Sequence, residues 1–170
     1  MMIRIGFGID THRLIAGKKL YIGGVFIDAP FGADAHSDGD VLLHAICDAL
    51  FGAAGLRDIG FHFPDTDHQY KNIDSKELLK KTSQIIAQSG FTIGNIDATV
   101  ILQSPKLSPY IPQIQEVISK ILNIPITAIS IKAKTAENMG FVGRSQAIEA
   151  QTAVLIESAE CRVQSVECRV

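Results

Sequence analysis

The chain has 170 residues, of which 46% are hydrophobic and 20% charged, a globular composition with apolar side chains enough for one core. Its formal net charge of −2 excludes an overall basic field for nucleic acid or an anionic membrane, so an anionic ligand must be met by local charges or metals. Three cysteines without a CxxC pair exclude a disulfide framework, and no secretory leader or membrane-length apolar run is present, so a soluble cytoplasmic protein is expected.

IRIGFGID (3–10) reads as a strand with glycines near its end, and KLYIGGVFIDAP (19–30) as a hairpin or bulged strand pair about Gly23-Gly24. AHSDGDVLLHAICDAL (35–50) opens a helix that runs to about Ala54, with Gly52 and Gly55 as stops. Ser37 or Asp38 suits its cap and Asp40 its positive first turn. Residues 57–73 lack periodicity and read as a long functional loop. Asp74-Ser75-Lys76-Glu77 is a capping box for a helix ending at Gly90. IDATVILQ (96–103) is a strand and SPKLSPYIP a proline-rich turn. QIQEVISKILN is an amphipathic helix with Ile114, Val117, Ile118, Ile121 and Leu122 on one side. AISIKAKT (128–135) is a strand, ENMGFVGRS a glycine-bearing loop and QAIEAQTAVLIE a last strand. This order predicts an α+β fold, with helices packed on one face of a mixed sheet. The final residues repeat SAECRV and SVECRV (158–163 and 165–170), which reads as a loosely packed tail.

Chemistry-bearing residues crowd two places. Asp10 and His12, two apart on a strand, point to the same side. His44, one turn into a helix, shares a face with Asp40 four residues before it. One carboxylate and two imidazoles suit Zn²⁺ and leave its fourth position open. Asp40 or Asp48 can serve as an outer partner that orients His44, and Asp40 reads equally as a helix-dipole charge. His36 and Ser37, ahead of the helix N-terminus, suit a phosphate, or Ser37 is only a cap.

DxH at 10–12, AHSDGDVLLHAICDAL, DIGFHFPDTD, SPKLSPYIP and KAKTAENMGFVGR, in this order, resemble the 2-C-methyl-D-erythritol 2,4-cyclodiphosphate synthase family of non-mevalonate isoprenoid biosynthesis. The resemblance runs from about Ile3 to Glu157 and implies a single domain over 1–157 with a 158–170 tail outside it. It implies a ferredoxin-like α+β fold, a homotrimer with sites between subunits, and a central apolar channel. The implied reaction is attack of the 2-phosphate of 4-diphosphocytidyl-2-C-methyl-D-erythritol 2-phosphate on its β-phosphate, expelling CMP. The resemblance also implies roles. Asp10, His12 and His44 hold Zn²⁺ against the phosphates. His36 and Thr135 stabilise the transition state, and His36 and Ser37 meet the 2-phosphate. Glu137 holds Mg²⁺ or Mn²⁺. Asp58 and Gly60 meet the methylerythritol hydroxyls, surrounded by Phe63, Pro64, Asp65, Thr66 and Asp67. The cytidine end lies against Leu102, Gln103, Ser104, Pro105, Lys106, Leu107 and Ser108. Lys134 and Ala136 complete the run around Thr135, and Phe141 and Arg144 lie near the phosphates or the subunit junction. Many members read TTTE or TTNE where this chain has Lys134-Thr135-Ala136-Glu137, and proline where it has His68. A phosphatase using zinc-bound water shares the Asp10, His12 and His44 core. A structural metal module would add a fourth protein ligand.

Overall fold

The computed structural model describes residues 2–64, 66–70 and 72–158. Its frame is a five-stranded mixed sheet in the order β4-β1-β7-β5-β6. Strand β1 (Met2–Ala16) pairs antiparallel with β7 (Ala147–Ser158) over most of its length. Its last four residues, Arg13 to Ala16, also pair with β4 (Phe31–Asp34). On the other side β7 pairs antiparallel with β5 (Phe91–Ile101), and β5 pairs parallel with β6 (Ile129–Lys134). That parallel pair needs a crossover, which the amphipathic helix α4 (Ile111–Leu122) supplies. Ile114, Ile118 and Leu122 are the buried stripe of α4, as the sequence predicts, with Val117 and Ile121 packed at its margin.

Strand alternation on β1 decides where the site lies. Gly6, Gly8, Asp10, His12 and Leu14 share one face, and Ile3, Ile5, Phe7 and Ile9 share the other. Helix α1 (Val41–Ala54) lies on the first face. It can do so because two residues there lack a side chain. A Cβ on Gly6 would sit 1.8 Å from the Ala49 carbonyl oxygen, and one on Gly8 2.1 Å from that of Ala45. The helix is therefore seated on the strand backbone, close to Asp10 and His12. The opposite face leaves Ile3, Ile5, Phe7 and Ile9 between 51% and 74% exposed, a contiguous apolar stripe.

Helix α1 is buried almost all round, by β1 and β7 beneath and α3 (Ser75–Gln88) beside it. Its cap is Asp40, not Ser37 or Asp38. The fully buried Asp40 carboxylate accepts from Leu43 N at 3.1 Å and from Gly23 N and Gly24 N at 2.8 and 2.6 Å. Those glycines form the turn of the predicted hairpin, β2 (Leu20–Ile22) and β3 (Val25–Ile27). Both have positive φ, 60° and 76°, as a two-residue hairpin turn demands. Asp40 thus binds the hairpin to the helix, which no local rule predicts. Asp74 caps α3 as expected, accepting from Lys76 N at 2.9 Å.

The structure adds elements that sequence patterning does not suggest. Short helices α2 (Ile59–His62) and α5 (Gly140–Gly143) and a 3-10 turn at His68–Tyr70 lie within the predicted loops. Four residues are too few for a helical period to be seen. Strand β5 begins at Phe91 rather than Ile96, because a register shift between Ile93 and Asn95 breaks its alternation. Among the described residues no helix is long and apolar enough to cross a membrane. Of the tail repeat, only Ser158 falls within the described residues.

Candidate metal centre and substrate pockets

The two ends that the glycines bring together carry the cluster. Asp10 Oδ2 lies 2.9 Å from His44 Nδ1 and 3.0 Å from His12 Nε2, and the two imidazole nitrogens are 3.1 Å apart. The rings meet edge to face, at 88°. Three potential ligand atoms thus form a nearly equilateral triangle. A tetrahedral Zn²⁺ shell with bonds of about 2.0–2.1 Å sets its ligands roughly 3.3 Å apart. The donor set and its spacing fit a small divalent cation with one face left open. Among the described residues no fourth His, Cys, Asp or Glu ligand joins the trio, which disfavours a closed structural site.

The electrostatics agree. Burial works to raise the Asp10 carboxyl, but hydrogen bonds and charge from His12 and His44 overcome it and hold Asp10 well below the carboxylate range. Burial works to lower the His44 imidazole, but the Asp10 hydrogen bond and the charges of Asp10, Asp40 and Asp38 hold it above its ordinary value. The Asp10 carboxylate thus stays ionised beside the two imidazoles, as a ligand for a cation must.

The partners of the far edge of His44 differ from those expected. Its Nε2 faces Ser75 Oγ at 2.9 Å and Ser37 Oγ at 3.2 Å. Asp40 is occupied by the hairpin turn. Asp48 accepts from Ile59 N at 2.7 Å, with burial raising its carboxyl. Neither is the outer partner of His44. The helix N-terminus is likewise unavailable to a phosphate through Leu43 N, which Asp40 already holds.

The trio lies in a cavity of about 570 Å³ that also takes in His36, Ser37, Gly60 and Phe63, all expected there. Asp34, Ala35, Ile59, His68 and Tyr70 complete the wall, and no sequence pattern singles them out as site residues. Asp58 is not in the lining; it caps α2, accepting from Phe61 N at 2.8 Å. Thr66 is exposed and Asp67 bonds Gln69 N at 3.0 Å, so these and Pro64 shape the loop rather than the wall. Asp65 lies outside the described residues. His62 is a packing residue, stacked on Phe51 at 3.9 Å and bonded through Nε2 to the Leu56 carbonyl at 2.8 Å.

A second, smaller cavity of about 130 Å³ gathers Leu102, Gln103, Pro105, Lys106, Leu107 and Ser108 with Ala133, Lys134 and Thr135. The predicted nucleotide run and Thr135 therefore converge, and Lys134 brings a second cation beside Lys106. Ser104, Ala136 and Glu137 are outside this lining. Glu137, at φ 49°, accepts from the Thr135 hydroxyl. Gln103 Nε2 donates to Asn138 Oδ1 at 3.1 Å and Gln103 Oε1 accepts from Asn138 N at 3.3 Å, tying the two loops together. Phe141 is exposed on α5, and Arg144 donates to Gln146 at 3.2 Å; neither lines a cavity with the trio.

Register relates the two cavities. Thr11 is level with Glu149, Glu149 with Ile101, and Ile101 with Lys134. Both groups thus lie at one end of the sheet, three strand spacings or roughly 14 Å apart.

The YgbB family model matches residues 3–157. The chain belongs to the YgbB family. A curated relative from Bacteroides thetaiotaomicron, a 2-C-methyl-D-erythritol 2,4-cyclodiphosphate synthase, is 54% identical over 157 residues, covering 92% of this chain and 99% of the relative. A structure of 2C-methyl-D-erythritol-2,4-cyclodiphosphate synthase in its CDP-bound form superposes with a TM-score of 0.84 at 36% identity, covering 91% of this chain and 100% of that one. The bifunctional IspDF of Campylobacter jejuni gives a TM-score of 0.90 at 40% identity over 94% of this chain and 43% of that longer one. The matched span, residues 3–157, contains the trio and both cavities.

Proposed function

We propose that the chain converts 4-diphosphocytidyl-2-C-methyl-D-erythritol 2-phosphate to 2-C-methyl-D-erythritol 2,4-cyclodiphosphate and CMP, as a cytoplasmic lyase of non-mevalonate isoprenoid biosynthesis. The observation that carries this is the open trio of Asp10, His12 and His44 within a chain 54% identical to a synthase of that name. The functional unit is one domain over residues 1–157, of ferredoxin-like fold.

Both reacting groups are anionic. Two unit charges about 4 Å apart repel by roughly 4 kcal/mol at an effective dielectric near 20. The site must therefore neutralise phosphates and align them; a protein nucleophile is unnecessary. An oxygen of the 2-phosphate forms a bond to the β-phosphorus, and the bond from that phosphorus to the bridging oxygen breaks, so CMP leaves with that oxygen. His36 and Ser37 on the wall beside the trio hold the 2-phosphate. Thr135 donates to the diphosphate, and Lys106 and Lys134 meet its negative charge. Gly60, Phe63 and the neighbouring loop, including Asp58 and residues 64–67, enclose the methylerythritol, while residues 102–108 take the cytidine. Zn²⁺ suits the carboxylate and two imidazoles; when bound it supplies Lewis-acid neutralisation of phosphate oxygens. Glu137, with oxygen ligands only, suits Mg²⁺ or Mn²⁺.

The trio and Thr135 line different cavities in one chain. The bare stripe of Ile3, Ile5, Phe7 and Ile9 needs covering. Both features support a homotrimer with each site shared between neighbours, near the junction that Phe141 and Arg144 approach. The test is to supply the cytidylated substrate and follow CMP and the cyclic diphosphate, with and without chelator. Equimolar CMP and cyclic product, abolished by chelation, is the expected result. Release of inorganic phosphate instead would identify a phosphatase and overturn this reading.

A further inference from the structure

We infer that Asp38 and Ser75 are positioning residues that fix the ring orientation of His44, taking up the hydrogen on Nε2 so that Nδ1 is turned toward Asp10 and His12. The inference rests on the reading of the trio as a metal site.

It follows from counting protons. Asp38 precedes α1, and its carboxylate only accepts when ionised. It accepts from Ser75 N at 3.1 Å, from the Ser75 hydroxyl, and from Asp40 N at 3.3 Å. A serine hydroxyl has one proton, and Asp38 takes it. Ser75 Oγ nevertheless lies 2.9 Å from His44 Nε2, so it can only accept there, and Nε2 must carry a hydrogen. Ser37 Oγ, 3.2 Å from the same nitrogen, already accepts from Gly39 N at 3.1 Å; its own proton finds no lone pair on a protonated Nε2. That leaves Nδ1 as the atom turned inward, 2.9 Å from Asp10 Oδ2, where a hydrogen bond to the carboxylate holds it and a cation would take the place of its proton.

Ser75 is fully buried. It sits in the first turn of α3, where Asp74 already provides the cap, so its hydroxyl is not needed for helix capping. A hydroxyl buried between a carboxylate and an imidazole, without a capping duty, is placed as a group that orients a metal ligand must be.

Two measurements on the full chain test this. Long-range ¹H–¹⁵N correlation of the zinc-loaded protein is expected to show His44 protonated at Nε2 and not at Nδ1; a proton on Nδ1 with Nε2 bare overturns the inference. Zinc affinity, by competition with a chromophoric chelator, is expected to fall about 10–100-fold in Ser75→Ala and to recover to within about threefold in Ser75→Thr. An affinity within about twofold of wild type in Ser75→Ala overturns the inference. If Ser75→Ala does not fold, Asp38→Asn serves: it frees the Ser75 proton to turn toward Nε2, and the expected result is zinc binding weaker by about 10-fold or more; an affinity within about twofold of wild type overturns the inference. A wild-type chain that binds no zinc would overturn the metal reading and this inference with it, whereas zinc binding that Ser75→Ala leaves intact overturns this inference alone.

Discussion

The metal cradle and the nucleotide-side loop are built on different principles. Each ligand of the cradle stands on a core element, and its partners are buried: α1 on the glycine face of β1, Asp40 on the hairpin, Ser75 at the start of α3. The segment 135–144 is exposed along most of its length, and its backbone turns through positive φ at Glu137, Asn138 and Gly140. Its side-chain ties are the exposed Gln103–Asn138 pair, the Thr135–Glu137 contact and the exposed Arg144–Gln146 bond. A metal ligand set tolerates little displacement, whereas the proposed function asks the loop beside the cytidine run to open at low cost as substrate enters and leaves. Rigidity is placed where coordination demands it.

His44→Ala tests this contrast most severely. It is expected to lose zinc and turnover together, with kcat down by roughly 10³-fold, as several kcal/mol of charge stabilisation would imply. Metal analysis and CMP release measure both; full turnover without bound zinc would remove His44 from its role. Next comes the seat of the helix. Gly8→Ala sets a methyl 2.1 Å from the Ala45 carbonyl oxygen, so α1 must shift, at a cost of about 1–3 kcal/mol or more. Denaturant unfolding should register that loss, and zinc affinity should fall with it. Gly52→Ala is the control on the same helix. A Cβ there meets nothing within 4 Å, and a gain of about 0.5–1 kcal/mol is expected.

These glycines also mark what the chain makes legible. Period-two spacing aligns Asp10 with His12, and helical periodicity puts His44 near the start of α1; both are local patterns. That the two meet depends on Gly6 and Gly8, whose local reading is merely a weak strand. Asp40 looks like a dipole charge because its real partners, the amides of Gly23 and Gly24, come from a separate hairpin. Ser75 looks like part of a capping box, and its bond to His44 spans 31 residues of chain. Strand β4 has too little alternation to announce itself, and Gly32 within it is set by the Lys18–Lys19 backbone, whose Lys19 carbonyl oxygen is 2.1 Å from where a Cβ would lie. Local rules find elements and caps; partners brought by topology escape them.

On the loop side, Gln103→Ala removes both bonds to Asn138. Because they are exposed, the stability cost should be within about 0.5–1.5 kcal/mol. The contrast with the cradle appears in the kinetics: KM for the cytidylated substrate should rise severalfold while zinc affinity stays at the wild-type value. A parallel loss of zinc would mean that the two regions are coupled, and the division drawn between them would have to be given up.

The smallest effect probes the buried body of α1 itself. Cys47 is fully buried, and desolvation pushes its thiol up to about 12 from an ordinary value of 9.0, despite a hydrogen bond with Thr82. Between those values the unfolded chain gives up the thiol proton and the folded chain keeps it. The unfolded state then binds fewer protons, so stability falls as pH rises through that window, and none is lost below it. At pH 9.5 this amounts to about 0.8 kcal/mol relative to pH 7. Unfolding at the two pH values in wild type and in Cys47→Ala isolates it: the variant is less stable throughout because of the cavity, but its decline should be shallower by that amount. Equal slopes would mean that the helix opens enough to hydrate the thiol, and a helix that opens so readily could not hold His44 with the rigidity the cradle requires.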